Sequence, residues 1–213
     1  MGKCFSYSQT PVEFIPVYGS QSFSFDKYYS LNKTDSVKIE NLKFYISALE
    51  FFDEEKLVFS EKESFHLIDL SKSEKLKFQL KTQSDIKFTH IRFNVGIDSI
   101  TNVSGALGGD LDPTLGMYWT WQSGYINVKI EGKSNLCKTR LNEFGLHLGG
   151  YTTPNLSLQT IQLKVNSQST LKIFLDVKLF LESIDLEKQN QIMSPGLAAV
   201  SLSKIFTDIF SCK

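Results

Sequence analysis

The clearest pattern in this chain of 213 residues is a strict alternation of apolar and mostly polar side chains near its C-terminus. The apolar residues occupy six successive odd positions, namely Leu171, Ile173, Leu175, Val177, Leu179 and Leu181. Successive side chains of a β-strand point to opposite faces of the sheet. The alternation therefore predicts one long strand with a buried face and a mostly solvent-facing one.

Shorter runs of the same kind recur along the chain. We predict two strands within 12–29, the second carrying Phe23 and Phe25, and further strands at 37–52, 57–59, 65–70, 76–80, 86–98 and 143–150. Near the C-terminus, Ser194 and Pro195 fit a helix N-cap followed by proline at the first helical position, and apolar residues then recur at helical spacing. About ten short strands and one terminal helix predict an all-β fold, an antiparallel β-sandwich with a short C-terminal helix. We place this single domain at residues 10–213.

The overall charge and the absence of known motifs exclude several classes of function. Lysine plus arginine and aspartate plus glutamate both number 23, so there is no general electrostatic attraction to nucleic acid or to an anionic membrane. No apolar run approaches the length that a transmembrane helix needs. Motifs for a serine nucleophile, a phosphate-binding loop, a dinucleotide site or a zinc protease are absent. We therefore expect a protein that is not an enzyme.

The first nine residues read as a signal-peptide remnant or a disordered terminus, with cleavage near Ser8 or Gln9. This interpretation predicts an exported protein, located in the periplasm, on the cell surface or outside the cell. The alternative is the frayed terminus of a cytosolic protein. If Cys4 belongs to a removed segment, Cys137 and Cys212 remain and can pair in an oxidising compartment, although their spacing does not show that they do.

The only two tryptophans, Trp119 and Trp121, lie in a segment rich in glycine and aspartate. Residues two apart on an extended chain share a face, so we predict that the two indoles lie side by side, either in a core or along the wall of a site. The long loop at 99–117 before them is typical of functional loops. Within it, Asp110 and Asp112 suit a hard cation such as calcium, or simply an Asx-rich turn.

Three histidines offer nitrogen donors, and each has a different setting. His147 lies in a predicted strand whose apolar residues 144, 146 and 148 take one face, which leaves His147 on the other face beside glycines. We interpret His90 as a solvent-side or second-layer residue, and His66 as a residue that hydrogen-bonds within its sheet. A lone histidine in a strand is more often a surface or hydrogen-bonded residue than a metal ligand.

Four segments together resemble the MbnP-like family. They are Gly116–Tyr125 with the following Lys129–Gly132, Phe93–Asp98, His147–Gly150 and Met193–Gly196. Members of this family are secreted or periplasmic copper-binding proteins associated with methanobactin operons, and they are related to the MopE/CorA surface copper proteins. The matching segments occur in order over most of residues 40–210.

The resemblance implies a β-sandwich with a mononuclear copper site built from histidine and a tryptophan that a partner di-haem enzyme oxidises to kynurenine. Carried over to this chain, the ligand is His147, the modifiable ring is Trp119 or Trp121, and Asp98 assists. The chain departs from the pattern at Asn102-Val103, where relatives often show Asn-His. Valine cannot bind a metal, so one imidazole is missing unless His90 or His66 replaces it.

Three hypotheses follow from these residues. In the first, the chain is an exported, non-enzymatic copper-binding protein. In the second, it is an exported β-sandwich that keeps the scaffold without a metal and binds a glycan or another ligand on a platform of Trp119 and Trp121. In the third, both indoles belong to the core of a purely structural domain.

Overall fold

A computed structural model describes residues 7–84, 86–165 and 170–212 of the chain as two packed β-sheets with three short α-helices. The strands are β1 (Tyr7–Tyr18), β2 (Gln21–Ser22), β3 (Tyr29–Ser30), β4 (Ser36–Asp53), β5 (Lys56–Ser60), β6 (Phe65–Asp69), β7 (Lys77–Gln83), β8 (His90–Val95), β9 (Tyr118–Trp119), β10 (Gly124–Ser134), β11 (Glu143–Gly149), β12 (Gln159–Lys164), β13 (Leu171–Asp176), β14 (Gln191–Ile192) and β15 (Phe210–Cys212). The helices are α1 (Ser99–Val103), α2 (Val177–Glu182) and α3 (Leu197–Thr207). Short 3-10 turns occupy Ser73–Leu76, Gly109–Leu111, Pro113–Leu115 and Arg140–Asn142.

The smaller sheet is built on β1, which pairs with β13 on one side and with β2 and β7 along its length, while β15 extends the sheet beyond β13. The larger sheet has the order β12-β8-β4-β10-β11-β14, and β3, β5 and β6 also pair with β4. Two pairs are parallel, β1 with β13 and β11 with β14. The predicted β-sandwich with a short C-terminal helix is confirmed, with these parallel pairs added to a mainly antiparallel arrangement.

The main core lies between the two sheets and is rich in phenylalanine. Phe44 of β4 makes edge-to-face contacts with Phe14, Phe206 and Phe210, with ring centroids 5.6–5.7 Å apart. These rings come from β1, β4, β15 and α3, so one aromatic cluster joins both sheets to the helix. Aromatic pairs at such distances contribute beyond the area that they bury.

A second apolar cluster covers the outer face of the larger sheet. The chain between β8 and β10 folds back over this face, and the buried members of the cluster are Tyr45, Leu67, Ile97, Leu111, Met117, Trp119, Tyr125 and Ile126. The predicted functional loop at 99–117 is therefore ordered as α1 and two 3-10 turns on the outer face. For this reason β4 is buried on both faces at its centre.

The predicted strand at 171–181 is wrong beyond Asp176, where the chain turns into α2. The Asp176 carboxylate accepts hydrogen bonds from the backbone N–H groups of Lys178, at 3.1 Å, and Gly19, at 2.9 Å. The first of these bonds caps the helix. Val177 and Leu181 are both buried because positions four apart share one helix face, whereas Leu179 is exposed.

Two other local predictions also differ from the structure. Phe23 and Phe25 follow β2 in an irregular segment and pack edge to face against each other, with centroids 5.0 Å apart. The terminal helix begins at Leu197 with Gly196 as its N-cap, rather than at Pro195. Tyr7–Gln9 pair with β7 as the start of β1, whereas the rest of the predicted signal remnant, including Cys4, lies outside the described residues.

Gly132 provides a test of the packing between β4 and β10. A Cβ atom at this position would lie 2.1 Å from the carbonyl oxygen of Lys38, in a region where the strand register shifts. We expect Gly132→Ala to lower the free energy of unfolding by about 2–3 kcal/mol, because the backbone of a central strand has to move. Urea unfolding measures the loss.

The matched control is Gly108→Ala, since no atom lies within 4 Å of the corresponding Cβ position. We expect this control to change stability by less than about 0.5 kcal/mol. Equal unfolding midpoints for Gly132→Ala and Gly108→Ala would contradict the close approach of β4 and β10.

Candidate functional site

A row of polar side chains crosses the outer face of the larger sheet beside the second apolar cluster. The strand register places Asp69, Lys43, Lys129 and His147 side by side on β6, β4, β10 and β11. Lys43 Nζ lies 3.2 Å from Asp69 Oδ2 and donates to the carbonyl of Leu115 at 3.3 Å. These contacts attach the covering segment to the sheet.

His147 ends this row, and its partner Glu131 lies two residues from Lys129 on β10. His147 Nε2 lies 2.7 Å from Glu131 Oε1, and Asn41 donates to the other carboxylate oxygen at 2.8 Å. The hydrogen bond from His147 opposes the cost of desolvation and, with Asn41 and the nearby charge of Lys129, lowers the pKa of Glu131 to about 2. Because an ionised carboxylate only accepts hydrogen bonds, His147 Nε2 is the donor.

His147 faces outward, as the alternation predicts, and only 6% of the residue is exposed. Its strand neighbours Leu146 and Leu148 belong to the core between the sheets. Among the described residues, Nδ1 of His147 has no hydrogen-bond partner. The carboxylate therefore fixes one nitrogen of a nearly buried ring, and the other nitrogen is free to accept a bond.

Trp119 packs on β11 at Gly149, where the lack of a side chain leaves space for its ring. A Cβ atom on Gly149 would come within 2.6 Å of the indole of Trp119, so the ring rests directly on this part of β11. His147 and Gly149 are two residues apart on one face of the strand, which is about 6.6 Å. Trp119 is 6% exposed, and its ring therefore covers the outer face two residues along the strand from His147.

Trp121 has a different environment from Trp119. The strand β9 ends at Trp119, and a turn that includes Ser123 with a φ of 51° leads into β10. The two ring centroids are 6.1 Å apart, but the planes are tilted by 53° and Trp121 is 65% exposed. The indoles are neighbours as predicted, yet they do not share one strand face, so a stacking platform for a ligand would rest on Trp121 alone.

Asp98 and Asn102 organise α1. Asp98 is the N-cap of α1, and its carboxylate accepts from the backbone N–H and the hydroxyl of Thr101 at 2.8 and 2.9 Å. Asn102 is buried and accepts a hydrogen bond from Tyr125 N, while Val103 is 75% exposed. Tyr125 is four residues from Lys129, which pairs with His147. The helix α1, which is attached at Tyr125, therefore lies about 13 Å along the sheet from His147.

Asp110 and Asp112 do not converge on a common point. Asp110 pairs with Lys75 Nζ at 2.5 Å and accepts from Leu67 N at 2.8 Å. Asp112 accepts from the backbone N–H of Thr114 at 2.8 Å, and this hydrogen bond lowers its pKa. These contacts match the Asx-turn interpretation better than a calcium loop.

His90 and His66 are engaged elsewhere. His90 pairs with Phe52 of β4, whereas His147 is level with Lys43 of the same strand. These two positions on β4 are nine residues apart, so the two histidines are separated by about 30 Å along the sheet. The Nδ1 atom of His90 lies 2.9 Å from the hydroxyl of Thr89. His66 stacks on Phe78 with centroids 3.7 Å apart, and its Nε2 lies 2.8 Å from Glu61. The structure therefore does not bring either ring to His147.

Sequence reasoning missed Glu131 as the hydrogen-bond partner of His147 and Met193 as a side chain that packs over Gly145. Glu131 lies on the face of β10 that also carries Lys129, and period-2 alternation alone would have placed it there. Met193 follows β14, and its sulfur lies 3.4 Å from the position of a Cβ on Gly145. The alternating Gly145, His147 and Gly149 are the local signal that this face leaves room for neighbouring side chains.

Metal-binding residues of the usual kinds are sparse. In the part of the chain that the structure describes, no three histidine, cysteine, aspartate or glutamate side chains cluster as a set of metal ligands. Cys137 and Cys212 are both free thiols there, and burial raises the pKa of each. No helix in this same part is both long enough and apolar enough to span a membrane.

Comparison with known proteins identifies one family. The model of the MbnP family matches residues 7–194 of this chain. The solved structure of MbnP from Methylosinus trichosporium superposes with a TM-score of 0.66 at 14% sequence identity, covering 92% of this chain and 87% of that one. At this identity the structural match supports the fold alone. Comparison with curated protein sequences gives no significant match.

The pKa of Glu131 predicts a stability change at low pH in the metal-free protein. Because the folded pKa, about 2, lies below the ordinary value of 4.5, ionised Glu131 stabilises the fold above about pH 4.5. This contribution is lost as the pH falls towards 2. We expect Glu131→Gln to lower stability by about 1–2 kcal/mol at pH 7, a value reduced for solvent screening because the side chain is 35% exposed.

The difference between the wild type and Glu131→Gln should shrink steadily between pH 4.5 and 2, as followed by urea unfolding at each pH. Glu187→Gln is the control, because Glu187 belongs to an exposed pair with Lys138. A difference that stayed constant over this pH range would show that the Glu131 carboxylate is not stabilised by His147.

Proposed function

This chain belongs to the MbnP family, and from that premise we propose that it is an exported, non-enzymatic protein that binds one copper ion at His147. The observation that carries the proposal is the Glu131–His147 pair, at 2.7 Å, on the covered outer face of the larger sheet. A carboxylate that holds one ring nitrogen of a histidine orients the ring and raises its basicity towards a metal.

The surroundings of His147 also suit a bound ion. Trp119 lies over Gly149, two residues from His147, and His147 is only 6% exposed, so few water molecules compete for its ring. Copper has a high affinity for imidazole among the divalent metals of the first row. His147 would hold the ion, and Trp119 would shield it.

A single imidazole provides too few ligand atoms for tight copper binding. Val103 occupies the position where relatives often carry a histidine, and it lies exposed on α1, about 13 Å along the sheet from His147. His90 and His66 are bonded elsewhere. The remaining ligands therefore have to come from other side chains on the outer face near β11.

We expect a His147→Gln variant to lose the bound copper while keeping its fold. Glutamine can still donate to Glu131, but its amide is a poor copper ligand. Titration with copper, followed by metal analysis after desalting, should show one ion per chain for the wild type and none for the variant.

His90→Gln is the matched control, since His90 is also a strand histidine with a single side-chain hydrogen bond. It should bind copper as the wild type does, and circular dichroism should be the same for all three proteins. Copper uptake by His147→Gln equal to that of the wild type would refute the ligand assignment.

We extend the proposal to the tryptophan that a partner di-haem enzyme would oxidise, and assign it to Trp119. Trp119 rests on Gly149, two residues from His147, whereas Trp121 points to solvent. Conversion of the indole to kynurenine breaks the C2–C3 bond, adds two oxygen atoms from an oxidant at the level of dioxygen, and releases C2 as formate after addition of water. The exposed Trp121 is the surface that the partner enzyme would contact.

Peptide mass spectrometry of protein isolated from its native host tests this assignment. We expect a mass change at Trp119 and an unchanged Trp121 in the copper-loaded protein. A Trp119→Phe variant made in the same host provides the control and should carry no modification at position 119. An unmodified Trp119 in the copper-loaded wild type would overturn the assignment.

A further inference from the structure

The end of the sandwich at α1 carries an exposed apolar patch, and we propose that this patch docks the protein on a bilayer of zwitterionic phospholipid. It consists of Ile100 and Val103 on α1, Leu107 in the loop that follows, and Trp121 in the turn before β10. We refer to these four side chains as the apolar tip. The inference goes beyond the proposed function, because it needs neither copper nor His147. Trp121 is also the ring that the partner enzyme would contact, so the two contacts exclude each other at that side chain.

The apolar tip is highly exposed. Ile100 is 85% exposed and Val103 is 75% exposed, and these are the two highest values among the large apolar side chains of the described residues. Trp121 and Leu107 are 65% and 41% exposed. Single exposed apolar side chains are common on proteins, but several on adjoining segments indicate a binding surface.

Two residues at the start of β10 hold the segments of the apolar tip together. The backbone N–H of Tyr125 donates to the side chain of Asn102 at 2.8 Å, and the Tyr125 hydroxyl accepts from the backbone N–H of Leu107 at 3.0 Å. Gly124 follows the turn that carries Trp121, and a Cβ atom on it would lie 3.5 Å from the Asn102 side chain. The helix, the loop and the turn therefore meet at one end of β10.

The attachment of α1 directs its two apolar side chains outward. Asn102 is buried, and its amide donates to the carbonyls of Ile97 and Asp98 at 3.0 and 2.9 Å. Ile100 and Val103 are three residues apart and share one helix face, on the side away from Asn102. Asn102 therefore fixes the helix to the sheet while both apolar side chains face solvent.

The hydroxyl groups of this segment are bonded within the protein, as contact with lipid requires. Ser99 donates to the carbonyl of Tyr151 at 2.6 Å, and Ser104 donates to the carbonyl of Thr101 at 2.7 Å. The hydroxyl of Thr101 donates to Asp98 at 2.9 Å. A protein interface has about one hydrogen bond per 100–200 Å², whereas the interior of a bilayer offers none. A surface whose hydroxyl groups are already bonded therefore favours lipid over a protein partner.

The distribution of charge selects the class of lipid. Residues 93–128 contain no lysine or arginine, although the chain has 23 of them. Of the three aspartates in that stretch, Asp110 is paired with Lys75, which leaves Asp98 and Asp112. Anionic lipids attract basic residues and repel carboxylates. The headgroups of phosphatidylcholine and phosphatidylethanolamine end in an ammonium group, which complements these two carboxylates.

Sedimentation with vesicles of phosphatidylcholine and phosphatidylethanolamine tests the proposal on the full, metal-free chain. We expect the wild type to bind at millimolar lipid and the Ile100→Ser/Val103→Ser double variant to bind at least about tenfold more weakly, because two apolar side chains are lost from the bilayer. The fluorescence of Trp121 should shift to shorter wavelength on binding. Replacing part of the lipid by phosphatidylglycerol at low salt should weaken the binding.

Leu141→Ser is the matched control. Leu141 is 66% exposed and lies in the turn before β11, where Glu143 pairs with Lys133 at the far end of β10 from Gly124. This variant should bind the vesicles as the wild type does. Circular dichroism should be the same for all three proteins, because substitutions of exposed side chains have little effect on stability.

Absence of wild-type binding to the zwitterionic vesicles would overturn the proposal, and so would equal binding by the double variant. Binding that increases with the content of phosphatidylglycerol would also overturn it, because the tip would then be attracted by anionic lipid. A dimer that forms without lipid and that only the double variant disrupts, measured by sedimentation velocity, would assign the apolar tip to a second copy of the chain instead. None of these results bears on copper binding at His147.

Discussion

The burial of β4 on both faces is the constraint on which the rest of the structure depends. Its inward residues pack against the smaller sheet and α3, and its outward Tyr45 packs under the segment between β8 and β10. Five other strands, β3, β5, β6, β8 and β10, pair with it. Because a strand covered on both sides cannot slip by one residue without exposing its apolar side chains, β4 fixes the register of the whole larger sheet.

The candidate site exists because the outer face is only partly covered. The apolar cluster ends near Met117 and Trp119, and Lys43 and Lys129 donate to the carbonyls of Leu115 and Gly116 along this boundary. Beyond the boundary, Glu131 and His147 form a partly shielded hydrogen-bonded pair, and Glu131 also borders an open cleft.

The local patterns in the sequence predicted which side of a strand a residue faces more reliably than where a strand ends. The alternation around His147 correctly placed it opposite the core residues, and the family resemblance is confirmed by the family model that matches residues 7–194. The same alternation failed at Asp176, because the buried positions 177 and 181 fit a helix as well as a strand. Only the capping bonds of Asp176, one of which reaches Gly19, decide between the two.

The sequence by itself predicted a β-sandwich that resembles the MbnP family, and it placed His147 on the strand face opposite residues 144, 146 and 148. The tertiary structure alone decided that Glu131 from β10 meets His147, and that Trp119 is buried under the covering segment whereas Trp121 is exposed. The physical reason is that side-chain alternation is a property of each strand, whereas register and strand order are set by packing between distant segments. Donor sets that depend on register therefore cannot be read from any one stretch of the chain.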